Sequence, residues 1–170
     1  IPQSECEALV AFYTSTAGDN WRNNTGWLQT ETPCSWFGVT CNAGHVSHLE
    51  LDGNYLQGPI PSDLGNLTEL MSLILHLNGL TGTIPSVLGN LIHLETLSLG
   101  SNDLDGSIPP ELGRLTATRT LYLGRNRLSG PIPPELGNLL TLRLLILYEN
   151  TISGPIPPEL GNLTTLEFLG

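Results

Sequence analysis

A strict 24-residue period is the feature that most limits the folds open to this chain. From residue 46 onward the sequence consists of five consecutive units without insertion or deletion, at 46–69, 70–93, 94–117, 118–141 and 142–165. Residues 166–170 begin a sixth unit. Units of this length form one supersecondary structure each, and they bury their apolar faces only by stacking on their neighbours. The period therefore predicts a solenoid in which each unit is one coil.

Each coil carries two leucines separated by a single residue. This spacing places both leucines on the same side of an extended segment, as in a short strand with one buried face. Because successive coils stack, the strands are expected to lie side by side as a parallel sheet. The leucine pairs are Leu49/Leu51, Leu73/Leu75, Leu97/Leu99, Leu121/Leu123 and Leu145/Leu147.

An asparagine follows each leucine pair at a constant distance. A short amide side chain at a strand end can bond backbone groups where the chain turns inward, and neighbouring coils can share those bonds. Five asparagines at one spacing predict a buried ladder whose polar groups are satisfied. The ladder residues are Asn54, Asn78, Asn102, Asn126 and Asn150.

The second half of each coil reads G-x-I-P followed by L-G-x-L. Glycine permits a tight turn, isoleucine packs inward, and proline stiffens the chain and removes an N–H donor that a sheet edge would leave unpaired. The L-G-x-L segment predicts a short helical turn on the convex side, where a carboxylate near the first residue complements the helix dipole. This structural role accounts for the acidic column Asp63, Glu111, Glu135 and Glu159.

The full pattern, L-x-x-L-x-L-x-x-N-x-L-x-G-x-I-P-x-x-L-G-N-L-x-x, resembles the plant-type subfamily of leucine-rich-repeat proteins over residues 46–170. The resemblance implies an α/β solenoid, a curved right-handed superhelix with a concave parallel β-sheet and a helical cap at its N-terminal end. It also implies a second small strand near each G-x-I-P segment.

Residues 1–45 do not repeat and are expected to cap the solenoid, which would otherwise expose an apolar end. Ser4 and Glu7 read as a capping box that opens a helix, and Leu9, Val10, Phe12 and Tyr13 follow at helical spacing. Residues 36–41, WFGVTC, match the signature W-x-G-V-x-C of N-terminal caps on plant-type repeats. The longer stretch 8–27 also resembles caps on algal, protist and bacterial surface proteins.

The cap resemblance implies a disulfide between Cys34 and Cys41. A loop this short contributes about 2–3 kcal/mol by chain entropy, and such a bond indicates an oxidising, extracellular setting. Many plant caps carry a further cysteine where this chain has Pro33, so Cys6 has no counterpart. Cys6 is interpreted either as a buried thiol on the cap helix or as one half of an intermolecular bridge.

Three segments match the N-glycosylation acceptor pattern N-x-T and begin at Asn23, Asn66 and Asn162. Asn66 and Asn162 occupy the same position of the repeat, so both are expected on one exposed side. The alternative is that asparagine belongs to the repeat pattern and that threonine follows by chance.

The charge distribution excludes several classes of partner. The chain has a formal net charge of −10, with six arginines and no lysine. Residues 1–113 carry twelve acidic residues and one arginine, whereas residues 114–170 carry four acidic residues and five arginines. Without a basic patch, nucleic acids and anionic membranes are not expected partners.

No apolar run approaches the length of about 20 residues that spans a bilayer, so no membrane insertion by this segment is expected. The chain begins with Ile1 rather than Met, and we expect that an upstream segment has been removed.

No arrangement typical of catalysis or cofactor binding is found. The four histidines, at 45, 48, 76 and 93, share no metal-ligand spacing, and no phosphate-binding loop or nucleophile–base pair is present. The sequence therefore predicts a protein without enzymatic activity, metal or cofactor.

The outward positions of the strands vary from coil to coil and are free to serve recognition. Two apolar groups are predicted there, one in coil two and a larger one in coils four and five, with Arg125 and Glu149 beside the second. Gly100 and Gly124 are expected to leave a shallow dip, and Ser98 is expected on the open face. Scattered exposed apolar residues are the ordinary alternative. The candidate binding residues are Ile74, His76, Leu77, Tyr122, Arg125, Leu144, Ile146 and Tyr148.

The sequence thus predicts a secreted or cell-surface module that recognises a protein, peptide or glycan through its concave face. The family resemblance implies receptor ectodomains or secreted polygalacturonase-inhibitor-like proteins. One alternative is an adhesive or structural protein that associates head to tail into rods or filaments. Another is binding to ice through a regular hydroxyl array, for which Ser72, Thr96 and Thr120 provide a partial ladder.

Overall fold

One α-helix and twelve short strands form the regular structure of the computed structural model, which describes all 170 residues. The helix α1 spans Gln3–Ser15. The strands are β1 Val39–Asn42, β2 His45–Glu50, β3 Gln57–Pro59, β4 Ser72–Ile74, β5 Gly79–Thr83, β6 Thr96–Ser98, β7 Asp103–Asp105, β8 Thr120–Tyr122, β9 Ser129–Gly130, β10 Leu144–Ile146, β11 Thr151–Ile152 and β12 Phe168–Leu169.

Seven strands form one sheet in the order β1-β2-β4-β6-β8-β10-β12. The hairpin β1–β2 is antiparallel, whereas all other pairs are parallel and pair residues 24 positions apart, as in Leu73 with Leu97 and Leu97 with Leu121. The predicted parallel sheet is therefore confirmed, with the cap adding one antiparallel strand at its edge.

Smaller strands lie at the G-x-I-P half of the coils, where the family resemblance implies them. Strands β3, β5 and β7 form a three-stranded sheet, and β9 pairs with β11. A single bridge between Ser107 and Ser129 connects the two groups. These strands hold the far side of each coil against its neighbours.

The L-G-x-L segments form 3-10 turns, at Ser62–Asn66, Ser86–Asn90, Pro110–Arg114, Pro134–Asn138 and Pro158–Asn162. The glycine in this segment has a packing role that the sequence did not reveal. A Cβ at Gly113 would overlap the carbonyl group of Glu135 in the next coil. Glycine is needed here for close approach between coils rather than for an unusual backbone angle.

The cap helix begins two residues earlier than the proposed capping box requires, so the capping-box prediction was wrong. Pro2 is the N-cap residue, and no side chain caps the helix. Glu5 instead reaches the first strand of the repeats: its Oε2 accepts a hydrogen bond from the backbone N–H of Val46 at 2.8 Å. Its Oε1 lies 2.7 Å from Nδ1 of His45. Because Glu5 is 2% exposed, these bonds satisfy a buried carboxylate and dock α1 onto the solenoid.

The core runs without interruption from the cap into coil five. In the cap it is aromatic: the ring centroids of Trp21 and Trp27 lie 4.9 Å apart, as do those of Trp27 and Trp36. In the coils it consists of the stacked leucines. Cys34 and Cys41 form a disulfide, as the family resemblance implies, and Cys6 is a free, half-buried thiol.

Candidate ligand-binding surface

The asparagine ladder fixes the ends of the strands that carry the outward side chains. Oδ1 of Asn102 accepts a bond from the N–H of Leu80, and its Nδ2 donates to the carbonyls of Leu75 and Leu99 at 3.0 Å each. Asn78, Asn126 and Asn150 bond in the same manner. The ladder therefore ties each coil to the one before it and leaves no buried side-chain polar atom unpaired.

The residue just before each ladder asparagine has a left-handed backbone. The φ angles at this position are between 53° and 57° in all five coils. Only coil one has glycine here; the others have Leu77, Ser101, Arg125 and Glu149. Residues with a Cβ adopt this conformation at a cost of about 1–2 kcal/mol, and the turn projects Leu77 outward with 58% of its surface exposed.

Three rings form a continuous row across coils two to five, called here the aromatic row: His76, Tyr122 and Tyr148. The ring centroids of His76 and Tyr122 are 6.3 Å apart, and those of Tyr122 and Tyr148 are 6.4 Å apart. The guanidinium carbon of Arg125 lies 5.8 Å from the Tyr148 centroid, within the range of a cation–π interaction. The two apolar groups predicted separately are thus one surface.

The predicted dip at Gly100 and Gly124 does not exist, because Tyr122 fills it. A Cβ at Gly100 would overlap the end of the Tyr122 ring, and one at Gly124 would lie 3.0 Å from it. The absence of side chains at 100 and 124 lets the ring lie against the sheet instead of standing away from it. The two glycines therefore shape the surface by leaving room for the Tyr122 ring against the sheet.

Ser98 was expected on the open face, but only 5% of it is exposed. Its hydroxyl lies 3.4 Å from Nδ1 of His76. The His76 ring from coil two and the Tyr122 ring from coil four lean toward each other over coil three, so the small side chain beneath them is covered. The burial of Ser98 could not be predicted from its own identity, because it depends on the large rings of coils two and four.

The remaining candidate residues lie on the same sheet face with different exposure. Ile74, Leu144 and Ile146 are half-buried between their neighbours, whereas Tyr148 is 39% exposed. Tyr148 and Leu77 therefore offer the largest accessible apolar surface of the set.

The charges beside the aromatic row are paired with each other. Nε of Arg125 lies 3.1 Å from Oε2 of Glu149, and this carboxylate raises the pKa of the Arg125 guanidinium. The neighbouring hydroxyl of Tyr122, more than burial, raises the pKa of Tyr148. Both side chains consequently keep their usual protonation at neutral pH: Arg125 is cationic and Tyr148 is a neutral hydrogen-bonding group.

Several polar groups of the chain lie outside the aromatic row. No group of three or more His, Cys, Asp or Glu side chains is arranged to hold a metal ion. A flank groove of about 280 Å³ lies outside the aromatic row, and Glu69, Met71, His93 and Glu95 are among its lining residues. Of the three acceptor asparagines, Asn66 and Asn162 are exposed, whereas Asn23 is half-buried.

Comparisons with known proteins identify the family. The leucine-rich-repeat N-terminal domain matches residues 2–42, and leucine-rich-repeat signatures match residues 45–67, 68–128, 118–139 and 141–163. The chain therefore belongs to the leucine-rich-repeat family, in its plant-type form with an N-terminal cap. No helix in the structure is both long and apolar enough to cross a membrane.

A probable inactive receptor kinase of Arabidopsis thaliana, RLK902, is 40% identical over 72 residues, which are 42% of this chain and 11% of that protein. The chain thus spans about a tenth of the length of the curated relative it matches. The plant peptide hormone receptor RGFR1, solved in complex with RGF2, is 43% identical with a TM-score of 0.70, covering 71% of this chain and 19% of that one. A plant ice-binding protein is 31% identical with a TM-score of 0.86, covering 95% of this chain and 53% of that one.

Proposed function

We propose that this chain is the recognition module of an extracellular or cell-surface protein. In this proposal it binds a peptide or protein partner, without catalysis, through the concave face of the seven-stranded sheet. The observation that carries the proposal is the aromatic row, an accessible strip of rings with a paired arginine and glutamate beside it. Exposed tyrosine and arginine are the residue types that contribute most to protein interfaces.

The contrast between inward and outward positions supports this proposal. The inward leucines, ladder asparagines and turn glycines repeat in nearly every coil, whereas the residues on the sheet face differ from coil to coil. The fold places no requirement on the outward residues, yet three of them in different coils contact one another as the aromatic row. Large side chains also occupy a left-handed position where glycine would fit without strain.

The comparisons support the partner class. The matched plant receptor RGFR1 is a peptide hormone receptor in complex with RGF2, and the curated relatives are receptor-type proteins. The disulfide within the cap agrees with an extracellular site of action. A peptide can follow the row across several coils and place its side chains against the rings.

The experiment is a selection of random 12-residue peptides displayed on phage against the folded chain. Recovered peptides are synthesised, and their Kd is measured for the wild type and for the double variant Tyr122→Ala/Tyr148→Ala. We expect the double variant to weaken binding by at least tenfold without lowering stability, because both rings are on the surface. Glu135→Ala on the convex side is the control and should leave the Kd unchanged. Peptides whose binding is insensitive to the tyrosine variant would place the site elsewhere.

A glycan is the alternative occupant of the same surface, since tyrosine rings stack on sugars and the surrounding serines and carboxylates can bond hydroxyl groups. Binding of the wild-type chain, but not of the tyrosine variant, to immobilised oligosaccharides would favour this ligand. Failure of the peptide selection together with that result would replace the peptide in the proposal.

Ice binding is favoured only by the similarity to the plant ice-binding protein. The hydroxyl ladder is in register from Ser72 through Thr96 to Thr120, but it ends at Leu144, and Ser72 is 7% exposed. We therefore rank it below recognition. Measurable thermal hysteresis in the purified chain would reverse that order.

A further inference from the structure

We infer that the ligand of the sheet face is a peptide with two chemically different ends. One end has a cationic residue that lies over coil one, and the other has an aromatic or aliphatic residue that lies over coils four and five. This inference rests on the proposed function and adds the chemistry and spacing of the two ends.

The ion pairs of the sheet and its margins show where charge is left over. The arginines at 119, 125, 127 and 143 each contact a carboxylate in an adjacent coil, namely Glu95, Glu149, Asp103 and Glu167. The positive charges of coils four and five are thus compensated within the protein. A ligand that binds there contacts aromatic rings and paired charges rather than a surface with a net charge.

Coil one differs, because its two outward carboxylates have no cation opposite them. Glu50 pairs across the sheet with Ile74, and its only side-chain bond is accepted from the hydroxyl of Ser72 at 3.0 Å. Asp52 is exposed and forms no ion pair. The equivalent residue of coil two, 24 positions later, is His76. Arg22 of the cap lines a groove with Asp52, but no ion pair joins them.

The groove beside Asp52 gives this end a shape as well as a charge. It has a volume of about 480 Å³ and is lined by residues of the cap and by residues 52–54, which follow β2. One of the cap residues is Phe37, which is 42% exposed. A lysine or arginine side chain can lay its apolar stem against the phenyl ring while its charged end reaches the carboxylate of Asp52. The carboxylates of Glu50 and Asp52 outnumber the one cation at this end, Arg22, so charge complementarity selects a cation for this end of the ligand.

The separation of the two ends sets the spacing of the ligand residues. Adjacent strands are spaced by about 4.8 Å, so coils one and five are about 19 Å apart, which an extended chain covers in about six residues. Between them, coil three presents no large side chain of its own, because Ser98 and Gly100 lie beneath the rings of His76 and Tyr122. The middle of the ligand is therefore expected to vary while its two ends are specified.

The phage selection tests this inference when two charge variants are added. Glu50→Gln/Asp52→Asn removes the coil-one carboxylates, and Glu135→Gln/Glu159→Gln removes two carboxylates from the convex side as the matched control. We expect peptides recovered on the wild type to carry Lys or Arg about six residues from an aromatic or large aliphatic residue. Their Kd should rise about three- to tenfold on Glu50→Gln/Asp52→Asn and stay constant on the convex variant. Raising the salt concentration should reduce that difference, because the contact is solvent-exposed.

The outcomes separate this inference from the function on which it rests. Peptides that depend on Tyr122 and Tyr148 but not on Glu50 and Asp52 would overturn the polarity and leave the binding function intact. A selection that recovers no peptide, or only peptides insensitive to the tyrosine variant, would overturn the peptide-binding function and the polarity with it.

Discussion

His76 and Tyr122 belong to coils two and four, yet their ring centroids are only 6.3 Å apart, because both rings lean over the small residues of coil three. The Tyr122 ring occupies the space that a side chain at position 100 would need. Gly100 does not have a left-handed backbone, so glycine is required there for room and not for conformation.

Replacing Gly100 with alanine should therefore raise the Tyr122 ring from the sheet. The added methyl group overlaps the outer end of a surface side chain that can rotate away, so we expect a stability loss below about 1 kcal/mol. Ligand binding should weaken nearly as much as in Tyr122→Ala. NMR of the tyrosine ring protons and a peptide titration measure the two effects.

Gly161→Ala is the matched control, because no atom lies within 4 Å of a Cβ at that position. It should change neither the tyrosine spectrum nor binding. If Gly100→Ala also leaves both unchanged, the seating of Tyr122 on Gly100 is not what shapes the surface.

Removing the Asn102 side chain should destabilise the middle of the solenoid. Asn102 is 9% exposed and bonds backbone groups of two coils. Asn102→Ala leaves the N–H of Leu80 without a partner, and a loss of about 1–3 kcal/mol is expected in urea unfolding. Asn138→Ala makes the same chemical change at an exposed site and should be nearly neutral. Equal losses in both variants would contradict the ladder's contribution to stability.

The sequence predicted the elements that depend on the repeat alone. The leucine pairs indicated the strands and their parallel pairing because a period of 24 brings equivalent residues into register. The spacing of Asn102 from Leu97 and Leu99 likewise indicated a bonding role at the strand end. Such predictions succeed because each coil repeats the environment of the one before.

The candidate site was less predictable because it depends on how unlike side chains fill shared space. Ser98 and Gly100 look open when each coil is considered singly, and only the reach of His76 and Tyr122 across coil three covers them. The capping box failed for a related reason. Glu5 and Glu7 both lie within α1. The carboxylate that docks the helix onto the repeats is that of Glu5, which accepts a bond from the N–H of Val46, 41 residues further along the chain. No local motif encodes that contact.

Breaking the disulfide should destabilise the cap. The Cys34–Cys41 bond closes a short loop that leads directly into β1. We expect Cys34→Ser/Cys41→Ser to lower the unfolding free energy by about 2–3 kcal/mol. Cys6→Ser is the matched control, since that thiol is free and half-buried, and should change stability much less. Non-reducing peptide mapping that links Cys6 to either partner would contradict the pairing.

The left-handed position of coil two offers a test of whether recognition is maintained at the expense of stability. Leu77 has a φ of 57° and is 58% exposed, so its side chain gains little from burial while its backbone is strained. Asparagine tolerates this conformation better than leucine, and Leu77→Asn should raise the unfolding free energy by about 0.5–1 kcal/mol. Ile92→Asn is the control, because Ile92 is 54% exposed and has an ordinary backbone, and it should give no such gain. The same Leu77→Asn variant should bind peptides recovered on the wild type more weakly if Leu77 contacts the ligand. A variant that is no more stable than Ile92→Asn would show that strain at this position is negligible, and unchanged binding would remove Leu77 from the proposed surface.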